Sequence, residues 1–109
     1  MFAGVASRKS SPRTVRREAE RAAVKDVRQR ERLAALAPGG APDRPIEVAS
    51  ASVVDGHARA SRCPLCGEAL RLDEHVAVET DGQRLRVARM SCPQCGARRA
   101  LHYRIAQPS

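Results

Sequence analysis

The chain has no tryptophan, one tyrosine and one phenylalanine among its 109 residues. Aromatic side chains therefore cannot fill its interior, and a domain this short with so few of them needs a staple besides hydrophobic burial. No stretch approaches the ~18 consecutive apolar residues of a membrane span. Met1 to Ala6 is too short for the apolar region of a signal peptide, and Glu18 and Glu20 come too early for an acid-poor transit peptide. The expectation is a soluble, cytoplasmic protein without a membrane partner. Also missing are a Gly-rich phosphate loop, a His-Glu-x-x-His helix and a Ser-centred elbow. No enzyme, no catalytic residue and no small-molecule substrate are expected.

What the chain has is positive charge: 20 Lys and Arg against 12 Asp and Glu. Residues 1–37 hold ten basic and four acidic side chains, and residues 38–109 hold ten and eight. The excess therefore lies in the N-terminal segment. Residues 1–11 read as disordered. Ser10 or Ser11 can cap a helix that starts at Pro12, a residue suited to the first helical position, and runs through Ala, Arg, Glu, Val and Leu to Ala37 without a glycine. Asp26 with Arg30 and Glu18 with Arg21 support that helix, whereas Arg17 with Arg21 and Arg21 with Lys25 oppose it. Its apolar positions do not sustain a heptad seam, so it is expected as an exposed, partly mobile arm. Residues 38–45, rich in Pro and Gly, read as a linker.

After Pro45 the periodicity becomes two. Ile46 to Val54 is a candidate strand with Asp55-Gly56 as its turn. In the next segment Leu70, Leu72, Val76 and Val78 alternate with Arg71, Asp73, His75 and Glu79. Asp81-Gly82 is a two-residue hairpin signal that sets paired residue numbers to sum to 163. That register places Val78 opposite Leu85, Val76 opposite Val87, Glu74 opposite Arg89 and Glu79 opposite Arg84, and a slip of one residue destroys all four pairs. A last strand spans Ala100 to Ile105, with Leu101, Tyr103 and Ile105 on one face and His102 and Arg104 on the other.

The four cysteines fall as Cys63-Pro64-Leu65-Cys66-Gly67 and Cys92-Pro93-Gln94-Cys95-Gly96. Two thiolates two residues apart can hold one ion from a tight turn, and two such turns complete the tetrahedron that Zn²⁺ favours. Proline fixes φ after the first Cys, and glycine after the second permits positive φ. Both 63+95 and 66+92 equal 158, near the hairpin sum, so the two turns meet at the open end of the hairpin. Cys-Pro-x-Cys-Gly occurring twice around a β-hairpin resembles the zinc-ribbon, or rubredoxin-knuckle, family of small domains over about Ser61 to Ile105. That resemblance implies a small metal-stabilised β domain at residues 46–107, a three- or four-stranded antiparallel zinc ribbon. It also implies that Cys63, Cys66, Cys92 and Cys95 are the ligands of one closed, structural Zn²⁺. Iron on the same thiolates, two disulfides and a dithiol redox centre are the alternatives. Against them stand the basic, aromatic-poor composition, the missing export signal and the absence of a βαβ unit.

Four thiolates leave the metal no open position for water. His57 is placed in a polar turn, and His75 and His102 on wet strand faces, so all three are expected as exposed surface histidines. If the apolar strand faces coincide, Arg71, Arg84, Arg86 and Arg104 share the opposite, solvent face, with Arg98 and Arg99 flanking the second knuckle. Eighteen of the twenty basic residues are Arg, which suits bidentate phosphate contacts. The N-terminal arm adds Arg13, Arg16, Arg17 and Arg21. The expected function is a non-enzymatic zinc-binding module that binds nucleic acid or a ribonucleoprotein. Docking or scaffolding within a larger protein complex is the other reading.

Overall fold

A computed structural model describes residues 11–106. The disordered segment expected over 1–11 therefore lies, apart from Ser11, outside the described residues, as does Gln107. Ser11 is the N-cap of α1 (Pro12–Leu36), its side chain accepting the backbone N–H of Thr14 at 3.1 Å. None of the residues of α1 is buried. Asp26 and Arg30 form the i,i+4 ion pair at 3.0 Å. Residues 38–45 make their own hydrogen bonds: Gly39 N–H donates to the Arg44 carbonyl, and the Gly39 carbonyl accepts the backbone N–H of His102 at 2.8 Å. The Gly40 Cα sits so close to the end of α1 that an added methyl would run into the Ala34 carbonyl. Gly40→Ala is therefore expected to displace α1 from the domain and lower the midpoint of chemical unfolding, whereas Gly56→Ala, where a methyl meets nothing within 4 Å, is expected to raise it.

Beyond this junction the order is β1 (Ile46–Val48), α2 (Ala51–Ala60), β2 (Arg71–Thr80), β3 (Gln83–Ser91) and β4 (Arg98–Ile105). The strands form one sheet in the order β1-β4-β3-β2. β1 runs parallel to β4, while the β2–β3 and β3–β4 pairs are antiparallel. The sheet is thus mixed, which corrects the purely antiparallel expectation. The physical reason lies in the segment read as one long strand, Ile46 to Val54. Only Ile46–Val48 is strand; the chain then turns into α2, a crossover that carries it to β2 at the opposite edge of the sheet, so β1 runs parallel to β2 and therefore also to its neighbour β4. Gly56 falls inside this helix rather than in a turn. The helix survives an interior glycine because Val54 and Ala58, one turn apart, are both fully buried against the sheet.

The hairpin follows the predicted register from Glu74↔Arg89 to Thr80↔Gln83. Asp81 and Gly82 both have positive φ, 50° and 78°, as a two-residue hairpin turn of this twist requires. Two of the expected charge pairs form, Arg89 with Glu74 at 3.3 Å and Arg84 with Glu79 at 3.4 Å. Below Glu74 the register shifts at a bulge between Leu72 and Glu74. An extra residue in one strand reverses the facing of everything beyond it. Leu72 therefore pairs with Met90 and joins the core under α2, while Val76 and Val78 lie on the other side of the sheet with Leu85 and Val87. The single apolar face expected for Leu70, Leu72, Val76 and Val78 is thus divided by the bulge.

The main core comprises Val48, Val54, Ala58, Leu70, Ala88, Met90, Leu101 and Tyr103 together with Cys63 and Cys92. Tyr103, fully buried, is its largest side chain. Its hydroxyl lies 2.8 Å from His57 Nδ1 on α2. Burial pushes the phenol up to about 12 from 10.0, with nearby Arg99 only partly opposing the shift. A folded-state pKa above the unfolded value means stability that is complete below about pH 10 and lost as pH rises toward about 12, by at most about 1.4 kcal/mol per pH unit. Urea midpoints are expected to fall across that window, and the fall should be shallower in Tyr103→Phe. The single tyrosine makes phenolate absorbance a direct check on the assignment.

Candidate metal centre and basic surfaces

Each Cys-Pro-x-Cys-Gly turn folds in the same way. Gly67 N–H donates to the Cys63 carbonyl at 2.8 Å and Cys63 N–H to the Glu68 carbonyl at 2.8 Å. In the second turn Gly96 N–H donates to Cys92 at 2.9 Å and Cys92 N–H to Ala97 at 2.8 Å. Gly67 and Gly96 have φ of +79° and +77°, the left-handed region that a side chain disfavours by ~1–2 kcal/mol. The first turn leads toward β2, and the second joins β3 to β4, so the sheet brings the two together. All four Sγ atoms lie within 4.8 Å of one another. The Cys63–Cys95 and Cys66–Cys92 sulfur distances are 3.6 and 3.4 Å. A tetrahedral ion with bonds of about 2.3 Å needs sulfur–sulfur edges of roughly 3.8 Å, so the donor set fits one ion of that size.

Burial divides the cysteines in the same way in each turn. Cys63 and Cys92 are each 2% exposed and belong to the core, whereas Cys66 and Cys95 face solvent. The backbone N–H of Cys95 holds the Cys92 thiol low, at about 7. For Cys66 a backbone N–H from Glu68 acts in the same direction, but the Cys92 sulfur, lost solvation and the other two sulfurs outweigh it and push the thiol up to about 12. Four sulfurs this close cannot all ionise cheaply without a cation among them. The arrangement is a four-sulfur cluster that can hold one metal ion.

The basic residues do not form the single platform expected from the sequence. β4 registers against β3 so that Arg86 pairs with Tyr103 and Val87 with His102. The apolar faces of the hairpin and of β4 therefore do not coincide: Arg84 and Arg86 lie on the α2 side of the sheet, while Arg71 and Arg104 lie on the other. Arg104 is engaged with Glu47 at 3.5 Å and Arg84 with Glu79. Arg71 and Arg98 do come together, one on each side of Ser91 in a cross-strand row. Arg99 is half-buried, its Nε without a partner among the described residues, and burial holds its guanidinium below the usual range.

The histidines depart from expectation in part: His57 is exposed, as expected, but not in a turn, while His75 and His102 are half-buried. His57 is helical and bonded to Tyr103. His75 Nδ1 lies 2.7 Å from Asp55 with its side chain 17% exposed, and His102 Nδ1 donates to the Gly39 carbonyl at 3.0 Å. Two of them, His57 and His75, fasten α2 to the sheet, and His102 fastens the 38–45 segment.

The most extended basic feature is on α1. Arg13, Arg17, Arg21, Lys25, Arg28 and Arg32 recur at intervals of three or four residues, all exposed. At 100° per residue they occupy one side of the helix over about 28 Å. Arg16 falls outside this row, roughly 130° around from its centre. Lys25, Arg28 and Arg32 were not singled out from the sequence. Their signal was there in the Arg17–Arg21 and Arg21–Lys25 spacings, read only as repulsions that weaken a helix. Among the described residues, one side-chain hydrogen bond runs from α1 to the domain, from Arg30 Nη1 to the Leu65 carbonyl of the first Cys-Pro-x-Cys-Gly turn at 2.9 Å.

Comparison with known proteins finds no match: no family model, no curated protein and no solved structure matches the chain. No helix among the described residues is long and apolar enough to cross a membrane.

Proposed function

We propose that this chain is a non-enzymatic binding module in which one structural Zn²⁺, held by Cys63, Cys66, Cys92 and Cys95, staples a small sheet domain that carries an Arg-rich helix to the backbone of a nucleic acid. The observation that supports the reading most is the cation row on α1. Like charges four residues apart each cost a helix ~0.2–0.5 kcal/mol, and the row stacks several of them on one face where, among the described residues, none of them forms an ion pair. A polyanion would convert that cost into contacts. Zinc is favoured over other metals by a set of four thiolates with no open position, and such a site serves structure rather than catalysis.

The test is salt dependence. The zinc-loaded chain should bind mixed-sequence duplex DNA at low salt, with log K falling linearly in log salt and a slope of about −0.9 for each phosphate neutralised. A slope of about −5 or steeper is expected, from the six cations of the row at about 0.9 each. Failure to bind DNA or RNA at low salt would sink the reading and favour docking to a protein. Metal analysis should return one zinc per chain.

A further inference from the structure

We infer that the cleft beside the second knuckle is a phosphate-binding site, with Arg71, Ser91 and Arg98 as its floor. The cleft encloses 770 Å³ and is lined by Arg71, Arg89, Arg98 and Arg99 against the two carboxylates of Asp73 and Glu74. It deepens the nucleic-acid reading, on which it rests for the polymer but not for the phosphate group itself.

The row is built by register. Arg71 pairs with Ser91 across β2 and β3, and Ser91 pairs with Arg98 across β3 and β4, so all three side chains leave the same side of the sheet at adjacent strand spacings. Arg89 stands on the same side, one step along β3. The bulge between Leu72 and Glu74 is what brings Arg71 here; without it Arg71 would lie on the α2 side.

The two carboxylates orient the arginines without consuming them. Arg71 gives its Nε to Asp73 at 3.1 Å and an Nη to Ser91 at 3.3 Å, and Arg89 gives one Nη to Glu74 at 3.3 Å. A guanidinium has five N–H donors, so each keeps several for a ligand. Arg98 is exposed and has no hydrogen-bond or ion-pair partner among the described residues. Arg99, the next residue along β4, pairs with Met90 and sends its side chain to the other side of the sheet, so it contributes its backbone to the cleft wall and not its guanidinium. Three guanidiniums, those of Arg71, Arg89 and Arg98, against two carboxylates leave a net excess of one positive charge. Fork-shaped donors around a hydroxyl match the oxygens of a tetrahedral anion better than a planar or apolar ligand.

Two sources can supply that anion, free phosphate and a backbone phosphodiester, and the experiment separates them. In the zinc-loaded full chain, titration with inorganic phosphate against matched chloride should shift the amide resonances of Ser91, Arg98 and Arg99, and Arg98→Gln should weaken the apparent affinity at least tenfold. Because Arg98 is exposed, this variant should keep its zinc. Ser91→Ala should weaken binding less, and Glu74→Gln should strengthen it. On duplex DNA, Arg98→Gln should make the salt slope shallower by about 0.9. No phosphate-specific shifts at these amides, or unchanged phosphate affinity in Arg98→Gln, would overturn the site. Phosphate shifts without DNA or RNA binding at low salt would support the site for free phosphate while overturning the nucleic-acid reading. DNA binding that is insensitive to Arg98→Gln, alongside phosphate shifts that are abolished by it, would likewise assign the cleft to free phosphate.

Discussion

Chelation of the metal at neutral pH is expected to abolish the strand signal of the chain in circular dichroism while part of the helical signal remains, with the strand signal returning when zinc is restored. Among the described residues only twelve hydrophobic ones are buried, and two of them, Cys63 and Cys92, belong to the four-sulfur cluster. The rest of the core contains one aromatic ring and several small side chains. Such a core supplies little margin over the entropy of ordering the chain, whereas structural zinc in small domains supplies an apparent ~10–16 kcal/mol. Without the ion, the two turns are joined by close thiols alone, and the segments entering β2 and leaving β3 lose their anchor. α1 buries nothing in the domain, so its fate is that of an isolated 25-residue helix, marginal but not absent. Ligand substitutions should separate by burial. Cys92→Ser removes a ligand inside the core and leaves a hydroxyl there, while Cys95→Ser does so at the solvent face. The first should prevent folding, and the second should leave a domain that binds zinc more weakly. Unchanged strand content after verified metal loss would show that the sheet holds itself together.

The features that local chemistry dictates were legible in the sequence. Asp81-Gly82 permits one tight turn, which fixes the register, and the register then places four cross-strand pairs. The spacing of Cys63, Cys66, Cys92 and Cys95 around that hairpin brings the sulfurs within ligand distance. What was not legible depended on partners distant in sequence. Val53 and Val54 have strand propensity, and Asp55-Gly56 looks like a turn, yet the segment is helical because Val54 and Ala58 bury against the sheet, a tertiary gain that outweighs local preference. The bulge at Asp73 has no strong local signature. Ser91's hydroxyl and Arg71 hold its carboxyl below the usual range, an effect of neighbours that exist only once the strands have paired. One extra residue there, together with the register of β4 on β3, is enough to divide the imagined arginine platform between two faces and to create the Arg71–Ser91–Arg98 row.

Replacing Arg17, Arg21, Lys25, Arg28 and Arg32 together by Gln is expected to make the salt slope of DNA binding shallower by about 4.5, five contacts at about 0.9 each, and to weaken binding at low salt by orders of magnitude. The fold should not suffer. None of the five is buried, no cysteine lies on α1, and losing the Arg17–Arg21, Arg21–Lys25 and Arg28–Arg32 repulsions outweighs losing the Glu18–Arg21 attraction, so the helix should be stabilised by a few tenths of a kcal/mol, about 0.5 in sum. A more helical chain that binds less tightly would tie binding to the charge row and not to helix formation. The opposite side of α1 carries the control. Val15 is 52% and Leu33 59% exposed, and both lie about 130° around the helix from the centre of the row, so Val15→Gln with Leu33→Gln should leave the DNA slope unchanged. Loss of binding in that variant, with the slope of the charge variant unaltered, would reassign α1 from phosphate contact to protein docking, because an apolar face contributes through buried area and an electrostatic one through released counterions.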